Sequence, residues 1–333
     1  MDILSGRARG AGATILRGAL SLVEPFYVAT MRLRNVAYDR GIFKSHPLPR
    51  PTISVGNVTT GGTGKTPVVQ WLAEQLIARG LHPAILLRGY RAHVTGGSDE
   101  QTMLAEQFGS RASVIANPDR VAGAQQAMRR NPTPDVFILD DAFQHRRAQR
   151  QFDLVLIDAT NPFGFGHVLP RGLLREPISG VRRADAILIT RCNDSTTTLE
   201  TQLRRHNPRA PIYHSSHQIR DVDQLNGRRV YVFCGIGNPQ SFMQQFDPVE
   251  VATFPDHHAY TNRDMELINQ AAAAFGADIM VTTEKDWVKV RSLPAAREGL
   301  PIWRAKLEIQ FQGDEGQQLL NQVLAVIGSA AQT

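Results

Sequence analysis

Three short runs hold the residues best suited to chemistry. The first is PTISVGNVTTGGTGKTP, residues 51–67. It joins an apolar stretch to a glycine-rich turn and a Gly-Lys-Thr triplet. Gly61, Gly62 and Gly64 let the backbone bend until its amides converge on phosphate oxygens, and Thr59, Thr60 and Thr63 complete the loop. Lys65 reaches the outer phosphates of a nucleotide, and the Thr66 hydroxyl suits Mg2+. The helix that follows turns its positive N-terminal end to the anion. A strict GxxxxGK[ST] pattern would put its first glycine at Thr59. The strand before the loop and the helix after it carry the assignment instead.

The second run is DVFILDDAFQHRR, residues 135–147. An apolar strand ends in Asp140 and Asp141, and carboxylates at a strand end beside a phosphate loop hold magnesium directly or through water. Adjacent side chains on an extended chain diverge, so at most one of the two is expected as an inner ligand. The third is LPRGLLREP, residues 169–177. Arg171 and Arg175 suit phosphate and Glu176 suits a cation; by itself the segment reads equally well as a surface turn. TGGSDE (95–100) and TFPDHHAYT (253–261) add groups able to move a proton.

Those groups need a scaffold. Thr52–Val55, Ala84–Leu87, Val136–Leu139, Leu154–Ile157 and Ala186–Ile189 are short, β-rich runs bounded by polar, Gly or Pro residues. Helical patterns such as Pro67–Ala78 lie between them, which predicts a parallel sheet covered by helices on both faces. A polar stretch, RDVDQLNGRR, precedes a fresh α/β pattern: strands at Val230–Phe233, Val249–Phe254 and Ile279–Thr282, and a helix near Arg263–Phe275. The fold class expected is α/β, with a phosphate-loop domain over 1–218 and a smaller C-terminal α/β domain over 219–333.

The 333 residues suit two domains, and 42% hydrophobic with 20% charged residues fits a folded globular chain. Cys192 and Cys234 form no CxxC pair, which disfavours structural zinc and points to a reducing compartment. No cleavable signal peptide is expected. Residues 1–50 carry eight basic side chains against three acidic ones, most of the formal +6. Between Ile15 and Val36 the apolar residues recur at helical spacing, with Pro25 expected to kink or divide the segment. The interspersed charges leave no run able to span a bilayer. The helix, about 12–37, either lies in a membrane interface or packs on its own domain. The basic excess sits beside this amphipathic segment rather than among aromatics, which favours an anionic membrane surface over nucleic acid.

Taken together, GNVTTGGTGKTP, LLRGYR, GSDE, DDAFQHRR, LPRGLLREP, CGIGNPQSF, FPDHHAY and TTEKDWVK resemble the tetraacyldisaccharide 4′-kinases of lipid A biosynthesis, from about residue 50 to 290. The resemblance implies a P-loop kinase using ATP and Mg2+. It implies a tetraacyldisaccharide 1-phosphate acceptor, met at the cytoplasmic face of the inner membrane by a peripheral enzyme. It matches Lys65 and Thr66 to nucleotide, Asp140, Asp141 and Glu176 to metal, and Gln144, His145, Arg171 and Arg175 to substrate. It matches Asp99 to a catalytic base and His257 to its partner, with His258 as the alternative, the pair forming across two domains that close on substrate. Four positions depart from the pattern: Ala142 replaces a glycine, Ser98 and Gln101 flank the acidic pair, and Leu87 replaces a serine. The competing reading is a regulatory P-loop ATPase or GTPase switch without a lipid acceptor; TEKD at 283–286 does not fit the guanine-reading NKxD motif. Oligomeric state is left open.

Overall fold

The computed structural model describes residues 2–5, 8–89, 99–192, 195–256 and 258–330. The larger sheet is built from β1 (Thr52–Asn57), β2 (Pro83–Leu87), β3 (Ser113–Ala116), β4 (Val136–Asp140), β5 (Phe152–Asp158), β6 (Ala186–Thr190), β7 (Ile212–Ile219) and β12 (Leu307–Phe311), in the order β12-β7-β6-β5-β1-β4-β2-β3. β1 to β7 run parallel to their neighbours among themselves. Every residue of β1, β2, β4, β5 and β6 is buried. That burial on both faces is why these strands read as unbroken apolar runs. β1 lies between β4 and β5, where the strand order reverses. In open parallel sheets ligands bind outside the carboxyl ends of the strands at such a point.

The second sheet comprises β8 (Val230–Cys234), β9 (Pro248–Thr253), β10 (Ile279–Thr283) and β11 (Ile302–Ala305), ordered β11-β10-β8-β9 and all parallel. Its core gathers Phe233, Met265, Ile268 and Met280 beneath the Asn262–Ala274 helix. Thr261 caps that helix in a reciprocal capping box with Asp264.

The chain forms two compact units, both discontinuous in sequence: 1–88 with 110–216 and 311–333, and 89–109 with 217–310. This differs from the single expected boundary at 218. The Asp99–Phe108 helix belongs to the second unit, where Arg291 pairs with Glu106. The C-terminal Glu315–Ala330 helix belongs to the first, burying Leu319, Leu320 and Val323.

The N-terminal helix runs unbroken from Ala11 to Asp39 with Pro25 inside it, so the expected division does not occur. Tertiary anchors hold it on both sides of the proline. Glu24 accepts from Val168 N at 2.7 Å, and the Tyr27 hydroxyl donates to the Arg175 carbonyl at 3.0 Å. No residue of the helix is buried outright. One face grips the protein through Glu24, Tyr27, Arg34 and Asn35. Ile15, Leu22, Phe26 and Leu33, at intervals of seven, four and seven, share the other face and are each 71–75% exposed. No helix among the described residues is long and apolar enough to cross a membrane.

Candidate active site

β1 delivers the glycine-rich loop to the carboxyl edge of the sheet. Thr59 makes a bridge to Leu174, and Thr60 N donates to Leu173 O at 2.7 Å. Thr59 is not among the positive-φ residues, so the threonine in place of the motif's first glycine carries no strain. The turns that need glycine are Gly61 (φ 108°) and Gly64 (φ 79°), the latter capping the Lys65–Ile77 helix. Arg191 Nη2 holds the Gly62 carbonyl at 2.8 Å and Thr190 Oγ1 holds the Thr63 carbonyl at 3.1 Å. In a trans peptide the next amide points the opposite way, so the N–H groups of Thr63 and Gly64 face away from those partners, as a phosphate cradle requires. Arg191 is itself ion-paired to Asp158.

Lys65 Nζ lies 3.2 Å from Asn57 Oδ1 and 3.4 Å from Asp141 Oδ1. Asp141 also receives Arg175 Nη1 at 2.8 and 2.9 Å on its two oxygens. Burial pulls the Asp141 pKa up, but Lys65 and Arg175 outweigh it and hold the carboxyl below its usual range. Asp141 takes the left-handed φ of 51° at this turn. Ala142, where the resemblance has glycine, is fully buried and not among the positive-φ residues, so the extra methyl fits.

Next to this cluster opens a cavity of about 500 Å³. Arg34, Arg88, Arg120 and Arg175 line it, with Asp141 and His145 and the helix residues Tyr27 and Met31. Arg120 is only 2% exposed. Its guanidinium donates to Asn117 O at 3.0 Å and Asp140 O at 2.9 Å. Burial lowers its pKa, opposed by the Asp140 and Asp141 charges. Burial, reinforced by Arg120, lowers the His145 pKa to about 4, so the ring is neutral near pH 7. Its Nε2 is buried with no hydrogen-bond partner among the described residues.

Glu176 corrects an expectation. Its carboxylate is fully buried and accepts Arg183 through both oxygens at 2.9 Å, Gln144 Nε2 at 3.0 Å and Asn35 Nδ2 at 3.0 Å. All its acceptor positions are filled, so it braces the site instead of facing a metal. Gln144 extends the brace by donating to Asn57 O at 2.9 Å. Arg171, expected beside the substrate, donates to Leu4 O at 3.2 Å and does not line the cavity. Among the described residues no three His, Cys, Asp or Glu side chains form a metal cage. Asp140, Asp141 and Thr66 remain as hard oxygen donors near the loop, the chemistry a small divalent cation takes with phosphate and water completing its shell.

Asp99 begins the Asp99–Phe108 helix and lies in the second unit, not in the first as expected. The 253–261 segment lies in that unit too, so the expected pairing across two domains is not required. His257 falls outside the described residues. His258, the alternative, contacts Asp264 at 3.3 Å and stacks on Phe254.

A family model described as tetraacyldisaccharide-1-P 4′-kinase matches residues 16–325. The chain belongs to that kinase family. It is 35% identical to a tetraacyldisaccharide 4′-kinase of Geobacter sulfurreducens, covering 92% of this chain and 93% of that one. It is 38% identical to one of Pelobacter propionicus, covering 83% and 85%. A crystal structure of LpxK from Aquifex aeolicus in complex with ATP matches with a TM-score of 0.72 at 26% identity, over 94% of this chain and 99% of that one. Membership in the tetraacyldisaccharide 4′-kinase family decides for a kinase over a regulatory switch.

Motif reading missed Arg120, Asn35 and Arg191. Arg120 did leave a trace: it opens a helix behind the Asp119 cap, where a cation opposes the helix dipole and so needs another reason to be there.

Proposed function

We propose that this kinase transfers the γ-phosphate of ATP to the 4′-hydroxyl of a tetraacyldisaccharide 1-phosphate, with Mg2+, at the cytoplasmic face of the inner membrane. The observation that carries the reading is the cation pair Lys65 and Arg175 converging on Asp141, which with Arg175 lines an arginine-rich cavity. Phosphoryl transfer asks mainly for positioning and charge neutralisation. Lys65 and the amides of the loop hold the β- and γ-phosphates. Asp140, Asp141 and Thr66 would hold magnesium, which would neutralise developing phosphate charge when bound. Arg175, with Arg34, Arg88 and Arg120, suits an anionic sugar phosphate. Asp99 draws the proton from the attacking hydroxyl, with His257 as its proposed partner.

The exposed apolar row of the Ala11–Asp39 helix faces away from the cavity-lining residues Tyr27, Met31 and Arg34. It suits insertion into the interface beside an acylated substrate. The test is incubation with γ-labelled ATP and the lipid acceptor, followed by extraction into organic solvent. Label should enter the lipid, require Mg2+ and appear roughly 10²–10⁴ times more slowly with Lys65→Ala. Label that stays in the aqueous phase with every acceptor would overturn the proposal.

A further inference from the structure

The TTEKDW segment has no part in the site described above. It lies in the second unit, at the end of β10 and the start of the Glu284–Val290 helix. Asp286 in this segment is a fully buried carboxylate. Its Oδ2 accepts from Gly235 N at 2.9 Å and from Thr283 Oγ1 at 2.8 Å. Its Oδ1 faces Lys289 Nζ at 3.3 Å. The same Nζ lies 3.5 Å from Asp99 Oδ2, and the Lys289 side chain is only 10% exposed. The Tyr260 ring closes another side of the ammonium, 5.9 Å away.

A buried carboxylate needs a counter-ion, and Lys289 supplies it. An ammonium has three donors, and Asp286, held by Gly235 N and Thr283 Oγ1, fixes where one of them points. One direction left over is that of Asp99. Just past the end of the same helix, Arg291 Nη1 reaches Glu106 at 2.6 Å, so the helix bearing Asp99 is tied to the Lys289 segment twice.

We infer that Lys289 is a positioning residue for catalysis: anchored on Asp286, it orients the Asp99 carboxylate toward the acceptor hydroxyl. The inference rests on the reading of Asp99 as the base. Misplacing a catalytic group by about 1 Å costs on the order of 10²-fold, so Lys289→Met should lower kcat by about ten- to a hundredfold. The KM for ATP should not change, because nucleotide binding does not use this pair. Lys289→Arg, which keeps the charge, should recover most of the loss.

The deciding comparison adds Lys289→Met to Asp99→Asn and measures kcat for transfer to the lipid acceptor. If Lys289 acts through Asp99, the double variant matches Asp99→Asn within about twofold. A further loss equal to that of Lys289→Met alone, with Asp99→Asn impaired, overturns the inference and leaves the base reading standing. Wild-type kcat in Asp99→Asn overturns the base reading and the inference with it. Should Lys289→Met fail to fold, Asp286→Asn/Lys289→Met removes both charges together. Added to Asp99→Asn, that pair should again cost no more than about twofold, and a larger loss overturns the inference.

Discussion

Asp141 stands between two cations, Lys65 at 3.4 Å and Arg175 at 2.8 Å. In the proposed reaction, phosphate oxygens entering the loop would take over that charge, and the loss of the lysine would then be felt directly in turnover. Lys65→Ala should lower kcat by roughly 10²–10⁴, the cost of one preorganised electrostatic stabiliser. A folded variant that keeps more than half the wild-type rate would contradict the role. His145 gives a second prediction through its protonation. Its folded pKa lies near 4, below the ordinary histidine value of 6.5. As pH falls through 6.5 the unfolded chain binds a proton that the fold still refuses, so stability drops between about 6.5 and 4. The thermal midpoint of His145→Gln should therefore fall less than that of wild type between pH 7.5 and 5. Equal falls would mean that the ring protonates freely in the folded protein.

Two elements position these residues, and each can be tested apart from the chemistry. The 168–176 segment is laced to the phosphate loop through Thr60, Val58 and Leu174, and it ends in the buried Glu176–Arg183 pair. Removing one partner of a buried ion pair leaves the other uncompensated, at about 3–5 kcal/mol. Glu176→Ala should lower unfolding stability by that amount in urea titration; a change under about 1 kcal/mol would mean that Arg183 finds another partner. The Ala11–Asp39 helix grips the protein with one face and leaves Leu22, Phe26 and Leu33 exposed on the other. Burial of such side chains contributes about 1.5–3 kcal/mol each. Leu22→Ser/Phe26→Ser/Leu33→Ser should weaken binding to anionic vesicles more than about tenfold while the thermal midpoint stays put. Unchanged vesicle binding would remove the membrane role of this face.

Across the whole molecule, legibility followed burial and range. β1, β2, β4, β5 and β6 read clearly because both faces are buried. β7 did not, since its half-buried run mixes His and Ser with apolar residues, and neither did the half-buried β11 and β12. Pro25 looked like a break because the pattern cannot register Glu24 bonded to Val168 or Tyr27 bonded to Arg175. The division into units depends on where residues 89–109 and 311–333 pack, a long-range matter that composition does not record. Lys65, Asp141 and Arg175 were legible from motif context. The Glu176 brace was not, because Asn35 lies 141 residues away in sequence. The central claim concerns all these parts acting as one kinase: phosphate goes to lipid, not to water. It is tested by counting ADP formed against lipid phosphorylated, with and without the tetraacyldisaccharide 1-phosphate acceptor in Mg2+-containing buffer. About one phospholipid product per ADP is expected, with little ADP when the acceptor is left out, as closure of a kinase site against water requires. ADP formed at the same rate without acceptor, and no phosphate on the lipid, would contradict it.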